Sequence, residues 1–191
     1  MGKITLSGGN IVLVANTHNP SIVSKEWATE KGMIDEPVIN FVHTPALSVI
    51  ETDNLNIILD PDRLQVLAKK VEAVDKLPRI VEIYVSSLPE IPYTAMGFNL
   101  TYEVMNEDIE KLLTPSERFK KAFSEYKLGG IVVFNLDEFI VTLNLKSNDD
   151  KTIANFNFHS NVKKSEEILE RLKHYEEVKE RAKNVLEVLF G

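Results

Sequence analysis

Three of the four histidines stand where a predicted strand ends, and histidine is a common ligand of zinc in proteins. These are His18, His43 and His159, and because strand ends can meet at one rim of a sheet, a three-histidine metal site is one interpretation. Their spacing does not resemble HxH or HExxH, which metal sites commonly show. We therefore interpret them as capping or surface histidines and expect no metal and no other cofactor. The fourth, His174, lies among charged residues of a predicted helix and should face solvent.

Asp60 and Asp62 place two carboxylates two residues apart, directly before Arg63. The carboxylates could bind a cation, or the arginine could bind an anion. The segment lacks the other ligands of an EF-hand loop, so we favour a turn in which an aspartate accepts hydrogen bonds from nearby backbone. The residues Asn148 to Asp150 have the same interpretation.

Catalytic motifs are absent from the sequence. The glycine pair in "SGGN", at Ser7 to Asn10, precedes a predicted strand, whereas a phosphate-binding loop follows a strand and opens a helix. No serine lies in a GxSxG motif, and no glutamates are paired in a way that suggests acid–base catalysis. The chain has no cysteine, which excludes disulfides, thiolate metal sites and cysteine nucleophiles. These absences favour a protein that is not an enzyme.

The formal net charge is -7, and the acidity is spread evenly over the chain. Because non-specific nucleic-acid binding needs a positive surface, this charge argues against a nucleic-acid partner. The lysine pairs at 69–70, 120–121 and 163–164 would have to converge to provide such a surface. The sequence contains neither the apolar stretch of a signal peptide nor a window approaching a membrane span. We expect a cytoplasmic protein with no membrane partner.

The clearest predicted strand runs from Tyr93 to Met105 and alternates strictly between apolar and mostly polar residues. This pattern is typical of a sheet with one buried face. The second face carries small or neutral residues, namely Ala95, Gly97, Asn99 and Thr101. Such residues allow a ligand, a partner or another sheet to approach closely, so we treat these four as candidate ligand-binding residues. The alternative is that this face packs against the helices of the protein itself.

The elements that must position these residues begin with an apolar strand at Asn10 to Ala15. Because its central residues are all apolar, we expect it to be covered on both faces. Asn19-Pro20 then predicts the start of a helix, with Asn as its N-cap and Pro at the first helical position. Short gaps predict antiparallel hairpins between Pro37 and Lys69. A helix capped by Asp75 should follow near Leu77 to Leu88.

The second half of the sequence repeats this sequence of elements. After the Tyr93 strand, Asn106 is predicted to cap a short helix. The "TPSE" capping box at Thr114 to Glu117 opens another helix, which Gly129-Gly130 ends. Three strands should lie between Ile131 and His159. The chain then closes with one long helix, Ser165 to Phe190, that carries an apolar stripe.

The order strand, helix, antiparallel strands, helix thus occurs twice, in residues 1–92 and in residues 93–191. Each helix after the first strand opens on similar residues, "NPSI" at Asn19 to Ile22 and "NEDI" at Asn106 to Ile109. Two such units could pair edge to edge and remove two sheet edges. The predicted fold is α+β: a curved antiparallel sheet with helices on one face, two pseudo-repeated β-α-β(3-4)-α halves that form one compact unit, and a long C-terminal helix.

This order of elements resembles the pseudo-symmetric TATA-binding-protein-like architecture at the level of the fold, and partly resembles helix-grip folds. The sequence motifs of neither group are present. A second resemblance, to a prokaryotic family of uncharacterised proteins, covers more of the chain. It rests on "PDRLQV" at Pro61 to Val66 and on the Gly97-Phe98 strand. Asn99 departs from this family, whose members favour an arginine there, and the resemblance implies a prokaryotic protein without implying an activity.

Taken together, these features favour a non-enzymatic binding or protein-interaction module, with a protein partner or a second copy of the chain. The C-terminal stripe would either cover the sheet or form a dimer seam. One alternative is a small-molecule carrier or enzyme with a cavity between sheet and helices, which a filled core would exclude. A third reading is nucleic-acid binding on a concave sheet, by architectural analogy, which requires a positive sheet face.

Overall fold

Nine antiparallel strands form a single sheet in this computed structural model, which describes residues 2–105, 107, 109–123 and 125–191. The strands are β1 (Ile4–Ala15), β2 (Val38–Thr44), β3 (Leu47–Thr52), β4 (Leu55–Leu59), β5 (Arg63–Ala68), β6 (Tyr93–Met105), β7 (Gly129–Leu136), β8 (Phe139–Asn148) and β9 (Lys151–Asn161). Their order across the sheet is β2-β3-β4-β5-β1-β6-β9-β8-β7. β1 and β6 therefore pair at the centre, and β2 and β7 form the two edges.

The helices lie on one face of this sheet. They are α1 (Lys25–Glu30), α2 (Leu77–Ser87), α3 (Glu117–Ala122), α4 (Ser165–Lys173) and α5 (Tyr175–Phe190), with 3-10 helices at Pro20–Ile22, Val71–Lys76 and Ile109–Lys111. Among the described residues, none of these helices is both long and apolar enough to cross a membrane. The α+β prediction with an antiparallel sheet is confirmed.

The central strand β1 is covered on one face only, which corrects the expectation that both faces are buried. Ile11 and Leu13 are fully buried under the helices. Val12 is half-buried and Val14 is exposed, because no described helix lies over the face to which they point. When helices cover only one face of a sheet, a strand needs apolar residues only at alternate positions. The continuous apolar run therefore led us to predict more burial than the strand has.

The helix start at Asn19 is confirmed, although the helix is divided. The Asn19 side chain accepts a hydrogen bond from the Ser21 N–H at 3.2 Å, and Pro20 begins a single 3-10 turn. Ser24 then caps α1 by accepting from the Trp27 N–H at 3.1 Å. The predicted cap at Asp75 is wrong, because α2 continues directly from the preceding 3-10 helix and has no side-chain cap.

Two further predictions for the second half, the cap at Thr114 and the helix end at Gly129-Gly130, require correction. A third, the cap at Asn106, lies outside the described residues. α3 begins after Ser116, whose hydroxyl accepts from the Phe119 N–H at 3.3 Å, so the cap lies two residues beyond Thr114. The Thr114 hydroxyl donates instead to the Glu110 carbonyl, at 3.1 Å. Gly129 and Gly130 belong to β7 rather than to a helix end.

The C-terminal segment is two helices, not the one long helix predicted, because the backbone leaves helical geometry at His174 (φ -91°, ψ 8°). α5 packs its apolar side onto the sheet, whereas α4 packs mainly against α2. The ring centroids of Tyr175 and Phe98 lie 5.2 Å apart, and Phe156 and Phe158 stack at 5.6 Å beneath them. The predicted apolar stripe therefore covers the sheet, and aromatic side chains fill the layer between β6 and α5.

Candidate functional site

The four candidate residues Ala95, Gly97, Asn99 and Thr101 lie together on the face of β6 that the helices leave open. Ala95 and Gly97 are nonetheless buried by their neighbours in the sheet, whereas Asn99 and Thr101 are half-buried. The strand's other face carries the fully buried Phe98. The four residues therefore do not pack against the protein's own helices.

Asn99 is the middle residue of an asparagine ladder formed by Asn10, Asn99 and Asn157 on three neighbouring strands. The strand register places Asn99 directly opposite both of the others. The Asn99 amide donates to Asn10 Oδ1 at 2.9 Å, and the Asn157 amide donates to Asn99 Oδ1 at 2.6 Å. Each carboxamide has two donors and two acceptor lone pairs, so the ladder retains free hydrogen-bonding capacity toward solvent.

The ladder lies in a shallow cavity of about 400 Å³ on the open face. Beside it, the Thr101 hydroxyl donates to Asn155 Oδ1 at 2.9 Å. Further uncharged hydrogen-bonding side chains line the cavity, namely Gln65, Thr142 and Asn144. Such a set can bind hydroxyl or amide groups, but it contains no nucleophile with an adjacent base.

Several charged side chains on the open face form ion pairs. Lys69 Nζ lies 2.7 Å from Glu51, and Lys151 Nζ lies 2.8 Å from Glu103. The hydrogen bond from Lys69 lowers the pKa of the Glu51 carboxyl, which stays ionised. Arg63 also has a carboxylate partner, Asp60, in the turn before β5. These three pairs add no net charge to the open face.

The three candidate metal ligands are not brought together. His43 lies on the edge strand β2, stacked on Phe41 at 5.7 Å, and His159 lies on β9 opposite Gly97. His18 is buried at the end of β1. Within the described part of the chain, no group of three histidine, cysteine, aspartate or glutamate side chains is placed to hold a metal ion.

His18 instead makes a buried contact with Tyr84, whose hydroxyl lies 2.8 Å from Nδ1. Burial lowers the pKa of His18 below its ordinary value, although the nearby Leu13 carbonyl acts in the opposite direction. The other ring nitrogen, Nε2, has no hydrogen-bond partner among the described residues. The neutral imidazole is therefore the form that the folded protein favours. His174 is exposed and lies 3.2 Å from Glu177.

A second candidate region, which the sequence reasoning missed, is the edge strand β7. Ile131 and Val133 are 67% and 62% exposed, although both belong to a regular strand. The strand, "GGIVVFNL", contains no charged residue and no proline. Charged residues and proline are the usual protection of a sheet edge, so their absence was the available signal.

On the helix-covered side, an apolar groove of about 440 Å³ runs between β7 and α5. It is lined mainly by Val132, Phe134, Leu136, Val185, Val188 and Leu189. Val188 is 84% exposed, the largest exposure among the large apolar side chains of the described residues. The apolar surface thus continues around the edge of the sheet onto α5.

The hydrogen bonding of β7 shows which of its backbone groups face outward. The Leu128 carbonyl accepts from the Ser147 N–H at 2.9 Å, which makes these two residues a hydrogen-bonded pair across β7 and β8. Such pairs alternate along antiparallel strands, so residues 130, 132, 134 and 136 bond to β8. Gly129, Ile131, Val133 and Asn135 direct their N–H and C=O groups away from the sheet. No hydrogen bond from the described residues reaches the outward N–H of Ile131 or Val133.

The sequence matches no model of a protein family, and no curated protein is significantly similar to it.

Proposed function

We propose that this protein is a non-enzymatic protein-interaction module that binds a strand of its partner at the free edge of β7. The observation that carries this proposal is the uncharged edge strand, whose exposed Ile131 and Val133 flank outward-directed backbone groups. An added strand would satisfy these groups, and the apolar groove on the helix-covered side would accept side chains from one of its faces.

The apolar surface around β7 supports the same proposal. Monomeric proteins rarely leave a contiguous apolar surface exposed without an interaction that uses it. Ile140 on β8 extends the surface on the open face, and Val188 extends it on the helix-covered side. A strand bound at β7 would bury part of both surfaces.

A peptide with the sequence of residues 129–136 tests strand addition directly. We expect the labelled peptide to bind the protein and to shift the backbone resonances of Ile131 and Val133 more than those of β2. Fluorescence polarisation measures the affinity, and NMR locates the site. The control is the same peptide with Pro in place of Ile131 and Val133, which removes N–H groups that would bond to the edge of β7.

Equal binding of both peptides, or resonance shifts confined to another region, would contradict strand addition at β7. A protein variant supplies a further check. Val133→Pro removes one outward N–H from the edge but none of the N–H groups that bond to β8, so it should weaken peptide binding while β7 and β8 remain paired.

A second candidate function is binding of a neutral polyhydroxyl ligand in the cavity over the asparagine ladder. The specific observation in its favour is the row of carboxamides Asn10, Asn99 and Asn157. Ala95, Gly97, Asn99 and Thr101 would then be ligand-binding residues, as the sequence suggested. Maltotriose, as a neutral probe, should shift the side-chain amide signals of the ladder, and Asn99→Ala should abolish the shift. No shift at millimolar maltotriose would remove this candidate.

Nucleic-acid binding and an internal cavity between sheet and helices receive less support. A nucleic acid requires a positive surface, whereas the cations Lys69 and Lys151 on the open face are each neutralised by a carboxylate. A carrier or enzyme with an internal cavity requires empty space between the sheet and the helices, where Phe98 and Tyr175 are in contact.

Two pseudo-repeated halves, residues 1–92 and 93–191, remain our proposal for how this fold arose. The strand order supports it, because the last strand of each half pairs with the first strand of the same half, and the two first strands pair with each other. Asn10 and Asn99 lie directly opposite each other where these two first strands pair. A curved sheet and a likeness to TATA-binding-protein-like architecture would follow from such a duplication. The resemblance to a prokaryotic family of uncharacterised proteins likewise stays a proposal.

A further inference from the structure

We infer that the strand bound at β7 is β7 of a second copy, so that two chains join their sheets in a symmetric antiparallel dimer. This inference rests on the proposed function of β7 as a free edge, and it adds the identity of the partner and the register of the pairing.

Symmetry restricts the register to a few choices. Residues that lie opposite each other in an antiparallel pair point to the same face, and a twofold axis perpendicular to the sheet preserves the face. The axis must therefore pass between one residue and the same residue of the second copy, which lie directly opposite each other. Centring the pair on Val132 overlaps the whole strand and places Ile131 opposite Val133 of the second copy. The outward groups of Gly129, Ile131, Val133 and Asn135 would then form about eight main-chain hydrogen bonds.

The charges at the two ends of β7 fit this register. Lys127 precedes the strand and Asp137 follows it. With Val132 at the centre, each Lys127 lies opposite Asp137 of the other copy, so the seam carries a complementary pair at both ends. Within one chain Lys127 lies 3.8 Å from Asp149, and both side chains are exposed. Asp137 likewise has a partner in its own chain, Arg181. Exposed pairs of this kind contribute little, so Lys127 and Asp137 can exchange partners at small cost.

The groove beside α5 supports the same arrangement. A twofold axis perpendicular to the sheet keeps the helices of both copies on one side of the joined sheet. The groove that contains Val188 then meets its symmetry equivalent across the seam. Self-association would thus cover the apolar surface on both faces of β7. The strand contains no charged residue, so its pairing with the same strand of a second copy brings no like charges together.

The full-length chain tests this inference by sedimentation velocity over a range of concentrations. We expect a dimer for the wild type and a monomer for Val133→Pro at the same concentration, with an unchanged far-ultraviolet circular dichroism spectrum. Lys127→Asp and Asp137→Lys should each raise the dimer dissociation constant about tenfold, because each places like charges opposite each other twice in the dimer. The double variant should return it to within about threefold of the wild type.

A wild-type chain that stays monomeric at millimolar concentration would overturn self-pairing. So would a dimer that Val133→Pro leaves intact, or charge variants that the double substitution does not rescue. The peptide experiment separates this failure from failure of the proposed function. If the peptide binds at β7 while the full chain stays monomeric, only the identity of the partner is wrong, whereas loss of both results removes the interaction edge itself.

Discussion

The two halves of the sheet end in different kinds of edge. In residues 2–92 the outer strand β2 has a register shift between Val38 and Asn40, where Ile39 is left unpaired opposite β3. In residues 93–191 the outer strand β7 pairs with β8 over all eight residues without a shift. Bulges disrupt the ladder and twist an edge away from further pairing. The comparison indicates that the first half is closed at its edge and that the second is ready to accept another strand.

The covered faces of the two halves differ as well. The first half buries a polar contact, between His18 and the Tyr84 hydroxyl. The second half buries an aromatic cluster in which Phe98 contacts Tyr175 and lies 5.8 Å from Phe139. The buried imidazole makes the stability of the first half sensitive to pH.

Substitution within the aromatic cluster should cause the largest loss of stability. Phe98→Ala should lower the free energy of unfolding by about 3–5 kcal/mol, because it removes a fully buried ring from a filled layer. Urea denaturation measures the loss. Phe123→Ala is the matched control, since that ring is 54% exposed, and it should cost less than about 1 kcal/mol. Equal losses for the two variants would contradict the assignment of the core.

Removing the buried hydroxyl of the first half should have a smaller effect. Tyr84→Phe keeps the ring but leaves Nδ1 of the buried His18 without its partner. The expected loss is about 1–3 kcal/mol in the free energy of unfolding at pH 7, measured by the same denaturation. An unchanged stability would mean that the contact does not hold this part of the fold.

Matched substitutions at the two edges should separate their roles. Val133→Lys on β7 should raise the dissociation constant for self-association by about tenfold or more, which corresponds to about 1.4 kcal/mol, because lysine at an edge opposes pairing. Val42→Lys on β2 should leave it within about threefold of the wild type. Both valines are exposed, so neither change should unfold the chain. Similar effects at both edges, measured by sedimentation, would remove the distinction between them.

The smallest expected effect is the pH dependence of the first half. Burial lowers the pKa of His18, so between the folded pKa and the ordinary value near 6.5 the unfolded chain binds more protons. This contribution to stability should be fully present above about pH 6.5 and should fall as the pH drops below it. Tyr84 and Tyr93 face the ring, and Asp60 and Asp62 partly oppose the shift.

His18→Gln should flatten this slope of unfolding free energy against pH, when the variant and the wild type are compared between about pH 5 and 7. His43→Gln is the matched control, because it replaces an exposed histidine on β2. A slope that His18→Gln does not change would assign the pH dependence to other groups.

Local pattern predicted the strands well where the pattern was strict. β6 has the predicted bounds, Tyr93 to Met105, and β2 to β5 form the predicted antiparallel hairpins between Pro37 and Lys69. Helix ends were less predictable. The caps at Asp75 and Thr114 failed because neighbouring turns competed for the same residues, and the break at His174 left no signal in the apolar stripe.

The candidate sites depended on contacts that no local pattern contains. The small polar face of β6 was visible in the sequence, but its partners Asn10 and Asn157 depend on the register of three strands. The contact between His18 and Tyr84 joins residues distant in sequence. The sequence predicted three strands between Ile131 and His159, but the position of the first of them at the edge follows only from the order of the strands.

The most direct test of the edge assignment is amide hydrogen exchange, measured by NMR at low and high protein concentration. The amides of Ile131 and Val133 point outward, whereas the amide of Val132 bonds to β8 and serves as an internal reference. We predict that the two outward amides gain protection as the concentration rises, while Val132 and the amides of β2 do not change. Fast exchange of Ile131 and Val133 at every concentration, or equal gains in β2, would contradict the account.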